Sequence, residues 1–464
     1  MNITMRLQQR LLKHCNVFCP AKNLLQLSYL LHPIIQKQSI STLNPSSITK
    51  PDHKPVLLVP VVDILSPEFD LQSRGRQSQR VRFQRPRLIC DATFGNGGYT
   101  KALLDKMDCK VFCVDQDPLA IERAMDMSLK PEYKNRLIPI HGKFSDIQNL
   151  IAPYTASHEA CLDGIVFDIG ISSNQLDDAS RGFSFRKDGP LDMRMASRGN
   201  LDESRQVSRT ITAEAVINNY PEMDLVRILQ QYGEEKNAYK IVRMIAAIRS
   251  KTYINTTTQL AQIIAKAVGK EEHWQQGHKH PAMKTFQAIR IYINDELKQL
   301  QQGLVMAERL LKPDGRCVVV TFHSLEDRIV KRFFQACAQG VTPDELPPPM
   351  TQQESRREST RVKSQIALET AERKREQQDR QRVRSGFNPD EELSMDHYTL
   401  VTMHDQLASF SAVKETGREP SMIPLSKKAI VPDEKEMQEN SRSRSAKLRA
   451  ARRTNHPTTY TQNL

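Results

Sequence analysis

Between residues 87 and 170 the chain alternates short apolar runs with helix-like stretches, and that alternation leaves few folds open. The runs "RLICDATF", "KVFCVD", "RLIPIHG" and "GIVFDIG" are separated by stretches such as "TKALLDKM" and "DPLAIERAMDM". Continuous runs of β-formers joined by helices describe parallel strands buried on both faces. A fifth run, "RCVVVTFH", comes only at residues 316–323. Before it, "EAVINNYPEMDLVRILQQYGEEKNAYKIVRMIAAIRS" and "TTTQLAQIIAKAVG" place apolar residues three and four apart, so helices are inserted between strands four and five. The predicted class is α/β, a doubly wound Rossmann-like domain with an inserted helical subdomain. Residues 285–311 predict one long helix ended by "KPDG".

A chain of 464 residues has room for two or three units at ~100–200 residues each. Hydrophobic content of 39% and a mean hydropathy of -0.54 place part of it outside any packed core. The net charge of +13 and pI near 9.3 favour a polyanionic partner, most simply nucleic acid. Eight cysteines form no CxxC pair and no Cys/His cluster at zinc spacing, so they read as reduced and buried, with no metal site. No window reaches the ~18 apolar residues of a membrane span.

The first acidic residue is Asp52, and the basic, hydroxylated, amphipathic stretch before it describes a mitochondrial transit peptide or an ordinary basic N-terminus. The expected organisation is a transit peptide over 1–50 and a core over 53–175 and 283–340. A helical substrate-recognition insertion occupies 176–282, a flexible charged insertion 341–396, and further core strands with a polar linker 397–453. Residues 53–67 predict an extended segment and a short helix, and "HYTLVTM" at 397–403 a strand. "SRSRSAKLRAARR" suits a last strand, an RNA-contacting tail, or both.

In "DATFGNGGYTKALL" a strand ends at Asp91, and Gly95, Gly97 and Gly98 turn into a helix whose free N–H groups suit a bound cofactor. S-adenosylmethionine, NAD and a purely structural turn all fit. The dinucleotide fingerprint wants a glycine where Thr100 stands, which weakens NAD. Asp115 ends the second strand in position for a ribose diol, while Asp117 before Pro118 is the better helix cap. Phe144 after the third strand suits an adenine edge or the core.

The fourth strand ends at Asp168 and runs into "IGISSNQLDDASRGFSFRKDGPLDMRM", which holds more aromatics and small residues than a solvated loop needs. Lying beyond a strand end, it reads as a wall around a reaction centre. Gln175 can hydrogen-bond there, and Phe183, Phe185, Arg186 and Arg194 can cradle a nucleotide. The alternative is a loop held by Asp–Arg pairs. In "FHSLEDRIVKRFF", His323 and Ser324 face the same site, substrate contact competing with helix capping. His280 before Pro281 reads as structural.

Together "HKPVLL", "DATFGNGGYT", "DQDPLAI", the Asp168 segment, "YGEEKNAYKIVRMI", "HPAMKTFQAIRIYINDEL", "FHSLEDRIVKRFF" and "SRSRSAKLR" resemble the MraW/RsmH family. These are S-adenosylmethionine-dependent methyltransferases of a cytosine N4 amine in small-subunit ribosomal RNA. The resemblance runs from about His53 to Arg453, interrupted at 68–86, 341–396 and 404–427. It implies cofactor contacts at Gly97, Gly98, Tyr99, Asp115, Phe144, Asp168 and Gln175. Tyr99 stands where the family usually has His, and Asn174 where Pro is common. Asp168 is the choice for the catalytic acceptor of the amine, against a role in cofactor binding alone.

With the leader, the resemblance implies a mitochondrial matrix enzyme acting on mitochondrial small-subunit rRNA or the pre-ribosomal small subunit. The oligomeric state stays open. A non-catalytic ribosome-assembly factor and a DNA amino-methyltransferase are the alternatives; the second would carry a Pro-Pro-aromatic box where "DIGISS" stands.

Overall fold

A computed structural model describes residues 55–66, 87–196, 211–269, 280–346 and 418–459. The leader, the basic loop after Ser66, the charged insertion beyond Leu346 and the expected strand at 397–403 lie outside these residues.

Seven strands form one sheet: β1 Arg87–Asp91, β2 Cys109–Asp115, β3 Leu137–His141, β4 Leu162–Asp168, β5 Leu311–Thr321, β6 Met422–Pro424 and β7 Lys447–Arg453. Their order is β3-β2-β1-β4-β5-β7-β6, parallel from β3 to β5, with β7 antiparallel to both its neighbours. The chain is thus doubly wound about β1. Strand β5 starts five residues earlier than the apolar run does; the "KPDG" turn lies inside it, at a register shift opposite Leu162 and Gly164.

The helices in chain order are α1 Leu58–Leu65, α2 Gly98–Lys106, α3 Pro118–Ser128, α4 Ile147–Ile151, α5 Ser173–Asp177, α6 Ala213–Asn219, α7 Glu222–Gly233, α8 Ala238–Arg249, α9 Thr257–Val268, α10 Met283–Asn294, α11 Glu296–Leu310, α12 Ser324–Ala338 and α13 Glu434–Glu439. One face of the sheet packs on α4, α11 and α12 through Ile147, Ile151, Leu300, Leu304, Val330 and Phe333. The other packs on α1, α2 and α3 through Val61, Leu65, Leu103 and Ala124. Helix α1 has its carbonyl end capped by two buried guanidinium groups, Arg87 donating to Leu65 O (2.9 Å) and Arg316 to Ser66 O (2.9 Å).

A separate apolar cluster joins α6 to α10 with Phe183, Leu191, Met193 and Met195 from the loop after β4. Here the expected single helix over 285–311 is corrected. The backbone breaks at Asp295 (φ 52°), so α10 packs with the inserted helices and α11 with the sheet. Two sets of contacts account for the break. Arg290 and Glu296 form a paired, mostly buried bridge (2.8 and 3.0 Å), and Asn294 holds Met193 O and Met195 N (both 2.8 Å). The helical cluster thus includes α10, which ends at Asn294.

The C-terminal basic run is a strand whose cations have protein partners. Arg449 and Lys447 bind Asp327 (2.7 and 3.1 Å), Arg452 binds Asp314, and Arg453 donates to Glu308 O (3.0 Å). Arg442 bonds Ser173 of α5. These contacts account for five of the six basic residues of the run, and Arg444 is exposed. All the described cysteines are free and buried, in keeping with their apolar settings.

Candidate active site at the carboxyl ends of the strands

Strand order reverses at β1, and in open α/β sheets that is where a crevice opens beyond the carboxyl ends. Strands β1, β2 and β4 each terminate in aspartate there: Asp91, Asp115 and Asp168. Burial pushes Asp91 up to about 6, against the hydrogen bonds it accepts from Thr100 Oγ1 (2.6 Å) and Thr93 N. Burial likewise pushes Asp115 up to about 6, although it accepts from Asp117 N and Gly95 N (both 2.8 Å). Asp168 is raised to about 8, by burial first and then by the charges of Asp91 and Glu326. Its Oδ1 is shielded from solvent and has no hydrogen-bond partner among the described residues. An acidic floor is a costly arrangement that a bound cation would relieve; among the described residues Arg123 is a cation that acts on Asp115.

Gly97 is left-handed (φ 76°), and a Cβ there would stand 2.5 Å from the Phe94 ring; at Gly98 a Cβ would meet Pro55 at 2.1 Å. Both glycines are demanded by protein neighbours. At Gly95 (φ 54°) a Cβ would make only ordinary contact, with Ser172 Cβ at 3.8 Å, so it is the left-handed backbone that favours glycine there. The Tyr99 ring is buried and its hydroxyl donates to Val56 O, so only its backbone remains for the expected cofactor contact. Phe144 packs edge-on against Phe167 (5.7 Å) and closely over Gly303 of α11. Gln175 is buried, with its amide spent on Ser172 N (3.0 Å) and Asp117 Oδ2 (2.9 Å).

The loop after β4 is ordered by Arg181, which the sequence did not single out. It donates to Asp117 Oδ2 (3.0 Å), Met195 O (2.9 Å) and Arg194 O (3.2 Å), with only 2% of its side chain exposed. Asp117 also caps α3, accepting from Leu119 N, so one carboxylate ties β2, α3 and the loop together. Two of the expected substrate contacts already have protein partners. Phe183 is a core residue, and Arg194 is clamped on Asp192 (2.6 and 2.8 Å). Phe185 stacks on His280 (4.6 Å), which gives that histidine the structural place expected of it. Arg186 is the exposed cation of the group.

After β5, His323 caps α12 in a reciprocal box with Glu326, whose Oε2 accepts from Phe322 N and His323 N. His323 Nε2 lies 2.8 Å from Glu326 Oε1 but off the line of a hydrogen bond. Ser324 Oγ donates to Glu234 Oε2 (3.0 Å). Both residues named for substrate contact are thus engaged at the helix start, and Glu326, fully buried, joins Asp91 in raising Asp168 electrostatically.

The sequence profile of the MraW methylase family matches residues 50–386. The chain belongs to the MraW methylase family. A ribosomal RNA small subunit methyltransferase H of Parvibaculum lavamentivorans is 43% identical over 61% of this chain and 74% of its own length. One from Hyphomonas neptunium is 37% identical over 89% and 91%. A probable methyltransferase-like protein 15 homolog of Drosophila melanogaster is 39% identical over 79% and 86%.

As an MraW methylase the chain is an S-adenosylmethionine-dependent methyltransferase. The residues present fit that cofactor: the lone Asp168 Oδ1 suits a sulfonium, and Asp115 retains acceptor capacity for hydroxyls.

Proposed function

We propose that this MraW methylase transfers a methyl group to the N4 amine of a cytidine in mitochondrial small-subunit ribosomal RNA. The observation that carries the chemistry is Asp168 at the end of β4, a shielded carboxyl whose Oδ1 has no hydrogen-bond partner among the described residues. The named activity of the bacterial relatives supports the RNA, and the Drosophila relative and the acid-free leader support the organelle. S-adenosylmethionine supplies the methyl group as a sulfonium. Asp168 accepts a hydrogen bond from the amine, which localises its lone pair, and then takes the proton released as the N–CH3 bond forms. The sheet ends fix the acceptor beside the donor, and positioning of that kind lowers the barrier substantially. A stacked base cannot present its amine, so the substrate is an unpaired or flipped cytidine.

Nucleoside mass spectrometry of mitochondrial small-subunit RNA, from cells with and without this protein, tests the reading. N4-methylcytidine should vanish with the protein. Its persistence, or loss of a ring-carbon, ribose or adenine mark instead, rejects it.

Asp115 is assigned to the ribose. Asp115→Asn, which leaves an acceptor oxygen for Gly95 N, should weaken donor binding by about 1.5–3 kcal/mol, the worth of a charge-assisted hydrogen bond. An unchanged titration curve for S-adenosylmethionine removes the assignment.

A further inference from the structure

Helix α8 has two unlike faces. Ala238, Ile241, Val242 and Ile245 are buried in the helical cluster. Tyr239, Lys240 and Arg243 are exposed and, at 3.6 residues per turn, fall within about 100° of one another. Exposed Lys236 precedes this face, and exposed Lys251 and Tyr253 follow it. Tyr239 and Tyr253 are 59% and 53% exposed, unusual for aromatic side chains that the fold could have covered.

No acidic residue occurs from Lys236 to Gly269. None of Lys236, Lys240, Arg243 and Lys251 forms an ion pair with another described residue, whereas other surface cations such as Arg328 do. The stripe also starts at the catalytic cleft. Glu234, two residues before Lys236, accepts from Ser324 Oγ (3.0 Å) and Arg328 NH2 (3.1 Å) at the start of α12, beside Glu326. From there α8 carries the stripe some ~18 Å away along its axis.

We infer that this face of α8 is a track for a single-stranded segment of the substrate RNA leading to the modified base. Its cations take phosphates, and Tyr239 and Tyr253 offer their rings to unpaired bases. Cations interleaved with exposed aromatics are the recognition chemistry of single strands, whereas an acidic protein surface would need no rings. The inference rests on the RNA-methylation reading and adds the residues that hold the strand outside the cleft.

The test is Lys240→Glu/Arg243→Glu, with Lys130→Glu/Lys134→Glu as a matched change of charge. The latter pair lies before β3, at the end of the sheet away from the cleft. Affinity for protein-free small-subunit RNA is measured over a salt series, beside donor titration and thermal melting. The α8 variant should melt and bind donor as wild type, bind RNA at least about tenfold more weakly, and show a salt slope shallower by about 1.4, two single-strand phosphate contacts. Tyr239→Ala/Tyr253→Ala should weaken binding and keep the slope. The control pair should change neither.

Wild-type affinity and slope in the α8 variant overturn the track while leaving the methylation reading standing. Absence of any labelled cytidine with wild-type enzyme rejects that reading instead. If the variant binds naked RNA normally but no longer joins assembled small subunits, the face docks a ribosomal protein and the track is wrong.

Discussion

Asp168→Asn should lower methyl transfer by about 10²- to 10⁴-fold, the range of a positioned proton acceptor, while donor affinity changes less than tenfold. The amide keeps the size of the carboxylate and removes its charge and basicity. If Asp168 serves only the cofactor, the two losses run parallel, and that result rejects its catalytic assignment.

The raised affinity of Asp168 for its proton gives a second reading of the same residue. With its carboxyl held near 8 by burial and by the charges of Asp91 and Glu326, the donor-free site carries the proton at pH 7. A sulfonium favours the ionised form, so binding S-adenosylmethionine at pH 7 should release a proton, measurable by calorimetry in buffers of different ionisation enthalpy. S-adenosylhomocysteine, which has no positive sulfur, should release less, and Asp168→Asn none. The sign for stability runs the other way from an ordinary salt-bridged acid. The folded state binds the extra proton between about 4 and about 8, so the stabilisation is complete at low pH and is lost as pH rises through 8. Equal proton release by the two ligands contradicts a sulfonium–Asp168 contact.

Much of this site was legible because it is built from local patterns repeated at strand ends. The apolar runs located β1 to β5, and the residue closing each run pointed to Asp91, Asp115 and Asp168. Asp117 as the cap of α3 follows from its place before Pro118. What stayed hidden depends on partners far apart in the chain. Tyr99 donates to a carbonyl 43 residues away, and nothing around "GGYT" distinguishes a ring that enters the core from one that faces a ligand. The break at Asp295 carries no Gly or Pro; it follows from the Arg290–Glu296 pair and from Asn294 reaching back about a hundred residues to Met193 and Met195. Phe183 draws attention as a nucleotide contact because aromaticity is visible in a sequence and burial is not.

Arg181→Met should destabilise the protein by about 3–5 kcal/mol, because it strands a carboxylate inside the fold. Arg181 and Asp117 are 2% and 4% exposed and 3.0 Å apart, so water cannot replace the lost partner. Two carbonyls, Met195 O and Arg194 O, lose a donor in the same step. Removing both charges with Arg181→Met/Asp117→Asn should recover a sizeable part of that loss, since the buried amide keeps a cap for Leu119 N and needs no counter-ion. Urea unfolding of the two variants beside wild type checks both halves, and a single-variant loss below about 1 kcal/mol would mean that the loop is held by its apolar residues alone. The consequence for function follows from position. Arg181 fastens the loop after β4 to Asp117, two residues beyond Asp115, so a loosened loop shifts the wall of the cleft where the ribose is assigned. Methyl transfer should therefore fall in Arg181→Met even at temperatures where the variant is fully folded, and the double variant should regain stability before it regains activity.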